Sequence, residues 1–275
     1  MSMKFGEEAA RRLERTYMTP DIVRQREATL ALFAAKPGES IVDIGSGPGF
    51  LCESLAQQVG PQGRVLGVDV SESMIESARQ RNPFGNLTYE LGDAVTVPAQ
   101  DASFDAAIST QVFEYVADVD AAIREMRRVL KPGGRALVVA TDWDGVVWHS
   151  SDRERMARMM RAWEPHCADP RLPRTLVARM REGGFEIEDV CGYSIVNTCA
   201  GDDTYSGNSI NLMASFVRRQ KSLSDAEVDA WLADLRELDA QGRYFFATTR
   251  FMVLATRMLI SASTCATSAA QGRKS

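Results

Sequence analysis

Ser40-Ile-Val-Asp-Ile-Gly-Ser-Gly-Pro-Gly49, followed by Phe50-Leu-Cys-Glu-Ser-Leu-Ala56, is the stretch whose reading decides the fold. Ile41, Val42 and Ile44 form a short apolar run that reads as a buried strand. Gly45, Gly47 and Gly49 then make a tight turn at alternate positions, and a helical pattern begins at once. Glycine tolerates positive φ and lets backbone come close to a ligand. A strand, a glycine turn and a helix N-terminus in succession describe a nucleotide-type site at the end of a parallel strand.

The dinucleotide fingerprint G-x-G-x-x-G would need its third glycine where this chain has Phe50. The pattern is instead Asp43-x-Gly45-x-Gly47-x-Gly49. Downstream, Arg64-Val-Leu-Gly-Val-Asp69 reads as a second strand ending in an acid, placed to accept hydrogen bonds from both ribose hydroxyls. Ser71 opens a helix through Arg81, and Leu87–Leu91 is a third strand ending at Gly92-Asp93-Ala94. A fourth strand, Phe104–Ser109, leads into Thr110-Gln111-Val112-Phe113. Asp118 caps a helix with Val119, Ala122, Ile123, Met126, Val129 and Leu130 on its core face, before Lys131-Pro-Gly-Gly134 and a fifth strand, Arg135–Ala140.

These motifs, in this order over residues 36–141, resemble the class I S-adenosylmethionine-dependent methyltransferases, in particular the ubiquinone/menaquinone-type and small-molecule natural-product enzymes. Arg128-Val-Leu-Lys-Pro-Gly-Gly134 is among the most recognisable of them. The resemblance implies an α/β fold, a doubly wound, Rossmann-like sheet of seven strands with the seventh antiparallel beside the sixth. It implies S-adenosylmethionine as cofactor, S-adenosylhomocysteine as product, and no metal. The cofactor-binding set it implies is Asp43, Gly45, Ser46, Gly47 and Gly49 at the turn; Asp69, Val70 and Met74 at the ribose side; Gly92, Asp93 and Ala94 at adenine; and Thr110 and Gln111 at the methionine end. Asp43 is expected to shape the glycine loop by accepting backbone N–H groups.

Residues 1–257 are expected to form one methyltransferase domain. Its parts are an N-terminal helical cover (1–35), the cofactor core (36–141), substrate-side loop and helices (142–184), and an α-helical lid insertion (197–242) between strands six (Phe185–Val196) and seven (Tyr244–Thr256). A charged helix is expected over residues 6–15, and a loosely ordered tail over 258–275. Thr19 and Pro20 read as cap and first residue of a helix running to Phe33, and Ser224-Asp-Ala-Glu227 as a capping box. Met156, Met159, Met160 and Trp163 recur at helical spacing, a pattern that suits core or an adaptable wall around an apolar substrate.

A net charge of −5 gives no general field for nucleic acid or anionic membrane. Five scattered cysteines without a C-x-x-C fit free thiols in a reducing compartment, so a cytoplasmic protein is expected, monomeric or homodimeric, with a small-molecule methyl acceptor as partner and neither nucleic acid nor membrane insertion. Thr110-Gln-Val-Phe113 stands where a nucleic-acid methyltransferase would carry Asn/Asp-Pro-Pro-Tyr/Phe. Cys167 and Cys199 lack the motif surroundings of arsenite methylation. Catalytic candidates are His166, His149 and Tyr17, since a hydroxyl acceptor would want a base of near-neutral pKa and the chain has two histidines. Tyr17 reads rather more readily as a packing aromatic at the hinge. The alternative function is a non-catalytic protein that binds S-adenosylmethionine or uses the fold as a scaffold.

Overall fold

The computed structural model describes residues 14–259. The elements are α1 (Pro20–Phe33), β1 (Ser40–Ile44), α2 (Phe50–Val59), β2 (Arg64–Asp69), α3 (Glu72–Arg81), β3 (Leu87–Leu91), β4 (Phe104–Thr110), α4 (Val119–Val129) and β5 (Leu130–Thr141). They continue with β6 (Val147–Trp148), α5 (Arg153–Trp163), α6 (Pro173–Glu182), β7 (Phe185–Asn197), α7 (Tyr205–Gln220), α8 (Asp225–Ala240) and β8 (Phe246–Arg257). The helix expected at 6–15 and the tail from 260 onward lie outside the described residues, apart from a helical turn at 14–17.

Strands β3-β2-β1-β4-β5 run parallel, and β8 inserts antiparallel between β5 and β7. The strand order reverses between β1 and β4, so their carboxyl ends diverge and leave the crevice in which such sheets bind ligands. Seven long strands match the expectation. The two-residue β6, pairing with β8 where β5 has ended, is an addition. Lys131–Gly134 is a bulge inside β5 rather than a loop before it, because Phe104 pairs with Leu130 and Ala106 with Arg135.

The two faces of the sheet are buried differently. One packs α4 and α6 through Ile123, Met126, Leu176 and Met180; the other packs α1, α2 and α3 through Phe33, Leu55 and Ile75. A third apolar cluster joins α5, α7 and α8 around Met159, Trp163, Val217 and the fully buried Trp231. That cluster absorbs most of the Met/Trp stripe, because a helix without the sheet beneath it must bury its apolar face on other helices.

The expected caps are present at Asp118, which accepts from Ala121 N at 2.8 Å, and in the Ser224/Glu227 capping box. Thr19 occupies the cap position of α1, but its hydroxyl donates to Thr16 O and to Asp21 instead of accepting. Asp21 takes over the anchoring, accepting from Ile22 N (2.9 Å), Tyr205 N (2.8 Å) and Asn197 Nδ2 (2.7 Å). The start of α1 is thereby tied to the start of the 197–242 insertion, and both border one cavity.

Candidate functional site

The carboxyl ends of β1, β2 and β4, with the segments that follow β3 and β5, open on a cavity of about 1610 Å³. Its inner end is built by the glycine turn. Gly45, Gly47 and Gly49 all have positive φ (80°, 53° and 86°), each for its own reason. A Cβ on Gly45 would lie 2.1 Å from Val112 Cγ2, and one on Gly49 would lie 2.2 Å from the Tyr89 hydroxyl. These two glycines let the turn close against protein. A Cβ on Gly47 would meet nothing within 4 Å, and Gly47 lines the cavity, so here the backbone itself faces the space a ligand takes.

Asp69 holds this turn. Its carboxylate accepts Gly47 N and Ser71 N, each at 2.8 Å, which joins the end of β2 to the turn after β1. Burial raises its pKa, against the lowering effect of those N–H bonds. Asp43 was expected to hold the loop through backbone N–H groups, and it does not. It sits fully enclosed under the turn, accepts the Cys52 thiol at 3.2 Å, leaves Oδ1 unpartnered, and is pushed up to about 7 by burial. Ser46 Oγ and Thr110 Oγ1 are likewise buried without partners. The Asp69 carboxylate, the open backbone at Gly47 and the unused Thr110 hydroxyl at the tip of β4 suit a nucleoside with a short polar chain.

Of the sequence candidates, Asp43, Gly45, Gly47, Asp69, Val70, Met74, Gly92, Asp93, Ala94, Thr110 and Gln111 line the cavity together with Tyr17 and His166. Ser46 and Gly49 lie behind the lining. His149 also lies outside it, exposed, with its backbone N–H donated to Phe245 O. Residues not named among the site candidates complete the wall: Phe50, Tyr115, Trp143, Tyr205 and Arg250. Phe50 carries the Arg81 guanidinium 3.8 Å above its ring.

His166 is buried among aromatics, stacked on Trp163 (ring centroids 3.8 Å) and edge-on to Trp143 (4.6 Å). Its Nδ1 lies 2.7 Å from Trp163 O, which accepts, so Nδ1 carries the proton and Nε2 faces the Cys167 sulfur at 3.1 Å. Burial drops its pKa to about 4. A neutral ring with both nitrogens engaged is a wall, not a general base, which corrects the sequence expectation for His166. Its NMR titration is expected to have a midpoint near 4; a midpoint near the ordinary value of 6.5 would contradict this packing.

Under the far wall lies a buried polar chain. Arg250 donates to Thr141 Oγ1, which donates to Gln111 Oε1 at 2.7 Å, and Thr141 N donates to Glu114 at 3.3 Å. Gln111 adopts φ +59°, a left-handed conformation costly for a residue with a Cβ, and is held there by its N–H to Val139 O at 2.8 Å. Burial raises Glu114 to about 7 from 4.5. The folded chain thus holds this proton more tightly than the unfolded one. The stability it contributes is present at low pH and is lost as pH rises through that window. Glu114→Gln is expected to flatten the fall in urea midpoint between about pH 5 and pH 7. Asp43 titrates over the same range, so the slope shrinks without vanishing, and an unchanged slope would contradict the assignment.

No helix among the described residues is long and apolar enough to cross a membrane, and no group of three or more His, Cys, Asp or Glu side chains among them is arranged to hold a metal.

A family model described as a methyltransferase domain matches residues 42–138. The chain is 34% identical over 247 residues to an uncharacterised 37.1 kDa protein in transposon TN4556 of Streptomyces fradiae, covering 86% of this chain and 68% of that one. It is 41% identical over 104 residues to a demethylmenaquinone methyltransferase of Symbiobacterium thermophilum, covering 36% of this chain and 41% of that one, so the chain spans less than half of this relative. The YcgJ protein of Bacillus subtilis, a solved structure, superposes with a TM-score of 0.61 at 18% identity over 86% of this chain and 100% of that one, a likeness of fold. The motif order, the sheet with its antiparallel β8, the Asp69-braced turn and these matches agree: the chain belongs to the S-adenosylmethionine-dependent methyltransferase family.

Proposed function

We propose that this protein transfers a methyl group from S-adenosylmethionine to an O, N or C nucleophile of a small organic molecule, within the cavity between the sheet and the 197–242 insertion. The observation that carries the reading is the cradle at Gly47 and Asp69 opening directly into a large, aromatic-walled chamber. When bound, the cofactor supplies a methyl group already activated on a sulfonium.

The chain's own residues then have positioning work. Asp69 would take the ribose hydroxyls while bracing Gly47, Gly92–Ala94 would border the adenine, and Thr110 and Gln111 the methionine end. Tyr17, half-buried with its phenol pKa raised by burial and by Asp69, is a hydrogen-bond donor rather than a base. With His166 engaged and His149 outside the lining, no histidine removes a proton. This favours an acceptor that arrives already nucleophilic, as an amine, enolate or acidic phenolate. Tyr205, Met213 and Leu232 of the insertion line the chamber, and in this reading they would shield it from water as a lid.

Incubation with isotopically labelled S-adenosylmethionine and cell extract, followed by mass analysis, is expected to yield a labelled small molecule and S-adenosylhomocysteine. Cofactor binding without any labelled product would favour the non-catalytic alternative.

A further inference from the structure

Arg250 is 4% exposed, yet it makes one side-chain hydrogen bond, to Thr141, and no ion pair among the described residues. Its Nε is buried without a partner. It lies on β8 in the inward register of Phe246, Thr248 and Met252, positions that are otherwise apolar or uncharged, and it lines the cavity. The Tyr205 ring lies against the guanidinium, 4.9 Å from centroid to Cζ, which restrains its plane. A charge this buried with most of its donors idle is costly unless a partner arrives. Glu114 lies close enough to feel the Arg250 charge, but it makes no ion pair or hydrogen bond with it: it is fully buried behind the wall, bonded to Thr141 N, and its other oxygen is unpartnered.

A planar fork of idle donors on an apolar wall is matched by a carboxylate, which it can bind through two parallel hydrogen bonds. We propose that Arg250 is the anchor for a carboxylate on the methyl acceptor, with Tyr205 fixing the fork and the Trp143 and Phe246 side of the chamber receiving the acceptor's apolar body. The inference rests on the methyl-transfer reading above and names its substrate class. The donor's own aminocarboxylate shares this chemistry. Sheet order favours the acceptor: β5 separates β8 from β4, whose tip carries the proposed methionine-end residues Thr110 and Gln111, roughly 10 Å of sheet between them, with Thr141 taking the one hydrogen bond Arg250 makes on that side.

The test is calorimetry on the full chain loaded with S-adenosylhomocysteine, using a hydroxynaphthoate and its neutral amide as probes. The wild type is expected to bind the acid at least about tenfold more tightly than the amide, as for a charge-assisted pair. Arg250→Gln is expected to erase that preference and leave S-adenosylhomocysteine affinity unchanged. Equal affinity for acid and amide, or no binding of the acid at millimolar concentration, overturns the proposal. So does an Arg250→Gln protein that loses S-adenosylhomocysteine affinity while keeping the acid preference, which would assign the arginine to the donor. A folded variant that keeps the acid preference also overturns it, because Arg26, Arg218 and Arg236 line the same cavity; should Arg250→Gln fail to fold, Arg250→Lys, which keeps the charge but not the fork, is expected to lose most of the preference. A wild type that takes up no S-adenosylhomocysteine removes the methyl-transfer reading and this inference together, whereas uptake without acid preference removes only the inference.

Discussion

Asp69→Ala is expected to weaken S-adenosylhomocysteine binding on the order of a hundredfold, from the loss of charge-assisted hydrogen bonds of about 1.5–3 kcal/mol each. The side chain has two tasks. Its carboxylate is proposed to take the ribose hydroxyls, and it already accepts Gly47 N and Ser71 N, which sets the turn the cofactor lies on. Alanine removes both, so the loss should exceed that of a ribose contact alone. Asp69→Asn keeps one carbonyl oxygen but turns the other acceptor into a donor facing Gly47 N or the ribose, so roughly a tenfold loss is expected. Calorimetry at matched thermal stability reads both, and wild-type affinity in Asp69→Ala would contradict the role.

Gly49→Ala is expected to act on stability first, costing on the order of 2–4 kcal/mol from left-handed backbone and overpacking together. The new methyl would be forced into Tyr89 of β3, 3% exposed, whose hydroxyl donates to Gly49 O at 3.3 Å. Gly47→Ala is the internal contrast. Its Cβ meets open space, so a loss of roughly 1 kcal/mol from backbone alone is expected, with most of the damage in cofactor affinity. Denaturant midpoints and binding constants should order the two variants oppositely. If both lost only affinity, the Tyr89 packing would not be what demands glycine at 49.

The inner half of the site was legible because it is local in sequence. The apolar run, the alternate glycines and the acid at 69 each sit at the end of a strand that is parallel to its neighbours, so chain order and spatial order agree. Helix starts at Asp118 and Ser224 were legible for the same reason, since a cap and its partner lie within three residues. The division of labour between two acids was not. Asp43 and Asp69 look alike in sequence, and only register shows that Asp69 reaches Gly47 while Asp43 is buried against Cys52.

The outer half was opaque because β8 crosses back antiparallel, bringing Arg250 beside Thr141 and Tyr205 from distant parts of the chain. One signal was present. In Phe246-Ala-Thr-Thr-Arg-Phe-Met252 the arginine falls on the inward positions of an alternating strand, and a charge in that register asks for a partner. For His166 the misleading feature was its rarity. The packing that makes it inert comes from Trp143 and Trp163, which sequence spacing does not bring to one ring.

The most direct test of the central claim, that the turn braced by Asp69 cradles the methyl donor, is a crystal structure of the protein with S-adenosylhomocysteine. The expected density puts the ribose hydroxyls on Asp69, the adenine beside Asp93 and Ala94, and the sulfur facing the chamber bordered by Tyr17 and Gln111. Nucleoside density elsewhere on the molecule, or a vacant turn at saturating ligand, would contradict it.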